Sequence, residues 1–167
     1  LFTSKDVSFV PVGRIVRSGG MQAVKDYYKE LGAEFEKALN DMFIFDALIF
    51  NTDRHYGNFG FLIDSHTNEI IAPAPLFDHG NSLFNFAGAD ALKSKKSFLK
   101  YAETQMPCVY DGYVTEAKKV LTHEWRSAIR KLLDFKLPRH SRYNLSKERL
   151  NLIKYAVSQR AAELLED

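Results

Sequence analysis

The chain has 167 residues, 46% hydrophobic and 26% charged, with a net charge of +2; that suits one domain or one large lobe with a real core, and it makes direct nucleic-acid binding unlikely. A single cysteine, Cys108, excludes an internal disulfide framework and a Cys-rich zinc site, and no apolar run approaches the ~18–20 residues that span a bilayer. No signal peptide opens the sequence, so a soluble, cytoplasmic protein with no membrane partner is expected.

The opening LFTSKDVSFV has no Met and no start signal of its own, so it reads as cut from a longer protein. Residues 7–16 are β-branched and apolar but interrupted by Pro11 and Gly13, which predicts an irregular edge strand or extended arm. After the turn at 18–20, MQAVKDYYKELG places Val24, Tyr27, Tyr28 and Leu31 at helical spacing and stops at Gly32, a good C-cap. Residues 33–51 begin amphipathic and end almost wholly apolar, the pattern of a central helix buried on most sides.

DRHYGN (53–58) is too polar and Gly-broken to continue that helix. FGFLID and EIIAP read as two strands joined by the turn SHTN, followed by Pro73, Pro75 and then LFDHGNSLF. Residues 90–104 read as helical and Lys-rich, and 114–135 as one or two helices with Thr115 and Thr122 as candidate N-caps. KLPRHSRYN is a basic loop. Residues 146–167 form a strong amphipathic pattern with Leu150, Ile153, Val157, Ala161 and Leu164 on one face. The fold class is mainly α (α+β): a helical lobe with one inserted β-hairpin.

A hairpin turning near 65–68 returns the chain so that Asn58 lies roughly opposite Pro75, with Asp78 three residues beyond. Asp53, Asn58 and Asp78 then converge at one end of the hairpin. An Asp with an Asn five residues on, followed by a hairpin and an Asp-x-Gly, is the arrangement that phosphoryl-transfer enzymes of the protein-kinase type use. Asn58 and Asp78 offer the hard oxygens that Mg²⁺ takes, and Asp53 can accept the proton of an attacking hydroxyl. Gly80 is expected to allow a sharp turn beside the metal site.

The segment NTDRHYGNFGF…PAPLFDHGNSLF resembles the catalytic and metal-binding segments of HipA-like serine/threonine kinases, a bacterial toxin kinase family. DRHxxN and the later DHG are also similar to the phosphoinositide 3/4-kinase relatives of that superfamily. The resemblance covers about 35 residues. It implies Asp53 as catalytic base, with His55 in the place of the family's catalytic-loop histidine. It implies Asn58 and Asp78 as the residues that hold Mg²⁺ and with it ATP. Gly57 stands where the family often carries a Lys. The implied fold is the C-terminal lobe of a kinase, spanning residues 1–167 as a single domain. The implied function is ATP- and Mg²⁺-dependent transfer to a protein Ser or Thr hydroxyl, with an antitoxin as a candidate partner.

Neither G-x-G-x-x-G nor G-x-x-x-x-G-K-[ST] occurs in the sequence, so the N-terminal nucleotide-binding lobe is expected to be missing and the fragment weak or inactive alone. Three other readings compete: a lipid or small-molecule kinase, a degenerate lobe that only binds a partner, and a metal-dependent hydrolase using Asp53, His55, Asp78 and His79. Blander roles compete too. His55 can stabilise its loop, His79 reads as a packing or capping residue, and Asn81 reads as a turn residue that could also bond the metal loop. KSKKSFLK (93–100) reads as a solvated face or a substrate-binding face. His123-Glu124 lacks the second His of a zinc protease motif.

Overall fold

The computed structural model describes residues 5–166. Its elements are β1 (Val7–Pro11), α1 (Val12–Ile15), α2 (Gly20–Leu31), α3 (Ala33–Ile49), β2 (Gly60–Asp64), β3 (Ile70–Pro73), α4 (Ala89–Leu92), α5 (Lys95–Glu103), α6 (Tyr113–Lys119), α7 (His123–Arg130) and α8 (Lys147–Leu165). The fold is helical with one small antiparallel sheet of order β1-β2-β3.

The hairpin turns where its sequence dictates. The Asp64 carboxylate accepts from the backbone N–H of His66 (2.8 Å) and Thr67 (2.9 Å), an Asx-type turn. Those same bonds, Thr67 first, hold the Asp64 carboxyl below its usual value. On the return strand Phe61 faces Pro73, and Ala74 N–H donates to the Gly60 carbonyl at 2.9 Å. The predicted opposition of Asn58 and the Pro75 region is thus correct to within a residue or so.

In residues 7–16 the edge-strand reading holds over the extended arm, though the strand is regular and stops at Pro11. β1 is a regular edge strand paired with β2, Val7 facing Asp64 and Pro11 facing Gly60. It ends at Pro11, which lacks an N–H for further pairing, and the chain turns at once into α1. Val12 N–H then donates to the Phe59 carbonyl (3.0 Å) and Gly13 N–H to the Tyr56 carbonyl (3.1 Å), so this corner clamps the loop before β2. Gly60 is required by that close approach: a Cβ there would stand 2.2 Å from the Val10 carbonyl oxygen.

α2 and α3 follow the sequence pattern. Val24 and Tyr28 are buried, and Gly32, at φ +120°, separates the two helices. In α3, Met42, Phe43, Ile44 and Ala47 are fully buried. Burial of each large side chain contributes about 1.5–3 kcal/mol, which is what holds so apolar a helix at the centre. α3 ends on Phe50 in the left-handed region (φ 54°), where Gly or Asn is the usual choice. The Phe50 ring offsets that strain by packing on Phe84 (centroids 4.5 Å) and under the Arg160 guanidinium (4.1 Å).

Two apolar clusters result. The larger joins α2, α3, β2, α6 and α7. The smaller surrounds Phe84 and Phe98, whose rings lie 4.7 Å apart, and gathers α5 and the N-terminal half of α8. Residues 90–104 form two short helices, because Ser94 caps α5 by accepting from Ser97 N–H. Thr122 caps α7 as expected, but Thr115 caps nothing: α6 already starts at Tyr113. In α8 Ile153, Val157, Ala161 and Leu164 are buried, and its expected last residue, Asp167, lies outside the described residues.

Candidate phosphoryl-transfer site

Three segments build the site: the end of α3, the loop 51–59, and the loop 74–84 after β3. Their junction is Arg54, which is fully buried. Its guanidinium forms a two-pronged pair with the fully buried Asp46 of α3: Nε to Oδ2 at 2.8 Å and Nη2 to Oδ1 at 2.9 Å. Nη1 reaches onward to the Asn58 carbonyl (3.1 Å) and the Phe77 carbonyl (3.0 Å). One side chain therefore anchors both loops to the core helix. A charge so deep is tolerated only when paired and hydrogen-bonded on all sides, and Arg54 meets that condition.

Asn51 extends the junction. Its amide nitrogen donates to Asp46 (2.9 Å), and its amide oxygen accepts from Asp53 N–H (3.2 Å). Asp53 is half-buried. Its Oδ2 accepts from Asn81 Nδ2 at 2.7 Å, so that oxygen is fixed while Oδ1 has no partner among the described residues. The Asn81 carbonyl also accepts from Thr52, from N–H at 3.3 Å and from Oγ1 at 3.2 Å. Asn81, read from the sequence chiefly as a turn residue, in fact bridges the two loops.

Asn58 is 2% exposed and closes its own loop. Its Nδ2 donates to the Asp53 carbonyl (2.8 Å), and its Oδ1 accepts from His55 N–H (3.1 Å) and stands 3.4 Å from Arg54 Nη1. Asp78 is exposed, and its carboxylate accepts no hydrogen bond from the described residues. It takes the left-handed conformation, φ 60°, a strained choice for a residue with a side chain. Gly80 does not: it has ordinary φ, and a Cβ there would meet nothing within 4 Å. The expected sharp turn therefore sits two residues earlier than predicted. Phe77, just before it, is held edge-on by Phe9 of β1 (centroids 5.2 Å).

The two histidines differ. His55 is exposed, and its Nδ1 accepts from Gly57 N–H at 3.0 Å. A side chain at 57 would meet that imidazole at 2.9 Å, so Gly57 suits this ring position. His79 packs against Phe45 (centroids 5.1 Å), and its Nδ1 lies 3.2 Å from Arg54 Nη2. Burial, then the Arg54 charge, pushes its pKa below the usual 6.5. The neutral ring can thus accept from Arg54.

The donor set can be weighed for Mg²⁺. Asp78 supplies free carboxylate oxygens in an exposed position, which suits a hard cation. The Asn58 amide oxygen already receives two donors, and ligation there needs the long Arg54 contact to yield. The set suits transition metals less. Among the described residues no three His, Cys, Asp or Glu side chains converge to hold a metal ion. The hydrolase set of Asp53, His55, Asp78 and His79 is not assembled among the described residues.

Sequence reasoning missed Arg54, Asp46 and Asn51. The available signal was Asp46, a lone carboxylate in the apolar run MFIFDALIF, which demands a buried cationic partner.

No family model matches the chain. Over 44 residues it is 50% identical to the serine/threonine-protein kinase CtkA of Helicobacter pylori strain J99, a match covering 26% of this chain and 13% of that protein. The fold is similar to the crystal structure of a Helicobacter pylori proinflammatory kinase CtkA, with TM-score 0.66 and 18% identity, covering 98% of this chain and 70% of that one. The architecture thus resembles that of a kinase structure. The resemblance to HipA-like serine/threonine kinases is supported by both comparisons.

Proposed function

We propose that this chain is the catalytic C-terminal lobe of a HipA-like kinase, transferring phosphate from ATP to a protein Ser or Thr hydroxyl. The observation that supports this reading is the Arg54 junction, which ties the loop carrying Asp53 and Asn58 to the loop carrying Asp78, with the Asp53 carboxylate half anchored by Asn81. Asn81 holds Oδ2, leaving Oδ1 to accept the proton of the incoming hydroxyl. Asn58 fixes the carbonyl of Asp53 and so the direction of that carboxylate. The His55 imidazole, unlike its backbone N–H, lies outside this buried network; it is exposed and suits contact with phosphate or acceptor. Asp78, with Asn58, would hold Mg²⁺, which would supply positive charge to offset the charge developing on the phosphate. The open face at Asp78 and His55 fits a site that a separate nucleotide-binding lobe completes. By resemblance alone, the reading extends to a bacterial toxin restrained by an antitoxin protein.

The test is phosphotransfer from labelled ATP with Mg²⁺, measured on the full gene product and on its Asp53→Ala and Asp78→Ala variants. Both variants should lose transfer by about 10³-fold or more while remaining folded. Transfer that survives either change would sink the assignment. Transfer to a lipid or small molecule but not to protein would redirect the acceptor. Inactivity of the wild type would favour the degenerate lobe.

A further inference from the structure

The segments 93–100 and 136–154 carry ten Lys and Arg and one Asp or Glu, while the whole chain is only +2. The remainder is therefore net acidic, and the positive charge is concentrated. The fold brings these two segments together. Leu92, Leu137 and Leu152 pack on the same small cluster as Phe84 and Phe98, so α4, α5, the loop after α7 and the start of α8 surround one apolar centre. Lys93, Lys95, Lys96, Lys100, Arg139 and Lys147 are exposed, and among the described residues none of them forms an ion pair. Cations left without carboxylate partners together create a field that favours an anionic partner.

The face has shape as well as charge. Between α5 and α8 lies a recess of about 460 Å³ with an apolar floor of Leu92 and Leu152 and a rim of Lys93, Lys95, Glu148 and Tyr155. Lys95 is seated on the Tyr155 ring, its Nζ 3.3 Å from the centroid, which fixes a cation at the recess. The face also adjoins the chain leaving the candidate site. Arg149, in the first turns of α8, donates from Nη2 to the Phe84 and Asn85 carbonyls (2.7 and 3.0 Å) and from Nη1 to the Ala87 carbonyl (3.4 Å). That holds the turn a few residues beyond Asp78 against the basic face, with Phe86 left 71% exposed at its edge.

We propose that this face binds an acidic protein segment, so that hydroxyls flanked by Asp and Glu are the preferred acceptors. The proposal rests on the kinase reading for the word acceptor, but the binding itself does not. A peptide is favoured over nucleic acid because the face borders the loop that leads from Asp78. In addition, the net-acidic remainder of the chain would repel a long polyanion.

The experiment is fluorescence anisotropy on the intact chain without ATP. The probes are a short Ser-containing peptide rich in Asp and Glu, its Asn and Gln counterpart, and single-stranded DNA. The acidic peptide should bind about tenfold or more tighter than the neutral one, and the difference should shrink as salt rises. Lys93→Glu, Lys95→Glu and Lys96→Glu together should erase it, with circular dichroism confirming the fold. The corresponding Lys→Arg variant should retain the preference and guards against a folding failure. Equal binding of both peptides, or binding that survives the charge reversal, overturns the proposal. Tighter binding of DNA than of the acidic peptide overturns it in favour of a nucleic-acid surface. Acidic-peptide binding by this chain, with no phosphotransfer by the full gene product, would sink the kinase reading and leave the face standing. Phosphotransfer with no acidic preference would do the reverse.

Discussion

Replacing Arg54 with Met keeps the buried bulk and removes the charge. Asp46 would then stand in the core with one side-chain donor left, Asn51 Nδ2 at 2.9 Å. The carbonyls of Asn58 and Phe77 would lose the donor that joins them. Breaking a buried pair from one side costs about 3–5 kcal/mol, against about 0–1 for an exposed one. Whole domains hold about 5–15 kcal/mol, so Arg54→Met should be at the edge of folding. Asp46→Leu should be comparably harmful, because it strands the guanidinium. The double variant should cost less than the sum of the singles, by about 2 kcal/mol or more, since no unpaired charge remains. Urea unfolding followed through the single tryptophan, Trp125, reads all three; its indole is anchored to Asp41 at 2.6 Å. Single-variant losses below about 1 kcal/mol, or strict additivity in the cycle, would refute the idea that this pair holds the two loops.

Other outcomes follow from the same geometry. Asn81→Ala removes the one hydrogen bond that fixes Asp53 Oδ2; bonds to charged groups are worth about 1.5–3 kcal/mol, so the urea midpoint should fall, and under the proposed function phosphotransfer per folded molecule should fall as well. Gly60→Ala places a methyl 2.2 Å from the Val10 carbonyl oxygen and should cost about 1–3 kcal/mol, seen as a lower urea midpoint. His79 is held neutral by burial and by Arg54, so the unfolded chain takes up its proton first as pH falls. The stability it contributes is complete above the ordinary value of 6.5 and is lost as pH drops towards the lower native value. His79→Gln should flatten that part of a Tm-against-pH profile, and an unchanged profile would count against the mechanism.

Much of this was legible in the sequence because it rests on local rules. Period-3.6 patterning located α2, α3 and α8, and turn chemistry located the hairpin. The hairpin in turn implied that Asp53, Asn58 and Asp78 share one end of it. What escaped was settled by tertiary pairing. Arg54 reads as a surface cation in a polar loop, yet it is fully buried, because its equally buried partner lies eight residues earlier inside an apolar helix. The left-handed turn fell on Asp78 instead of Gly80, since backbone strain at that point comes from the loop's anchorage and not from residue preference. β1 could not be told from an extended arm until its partner β2 was in place. The run 93–100 has no internal clue to what surrounds it, because its neighbours are supplied by α8.

The loop amides have a further consequence for how the molecule opens. Asp53 N–H and His55 N–H are bound to the side chains of Asn51 and Asn58, which are themselves buried beside Asp46 and Arg54. No member of this set can be released without exposing an ion pair to a dry interior or the core to water. Loops of this kind usually exchange their amide protons through small local openings. Here the two amides are expected to exchange only when the whole chain unfolds, so the loops and the helical core melt as one cooperative unit.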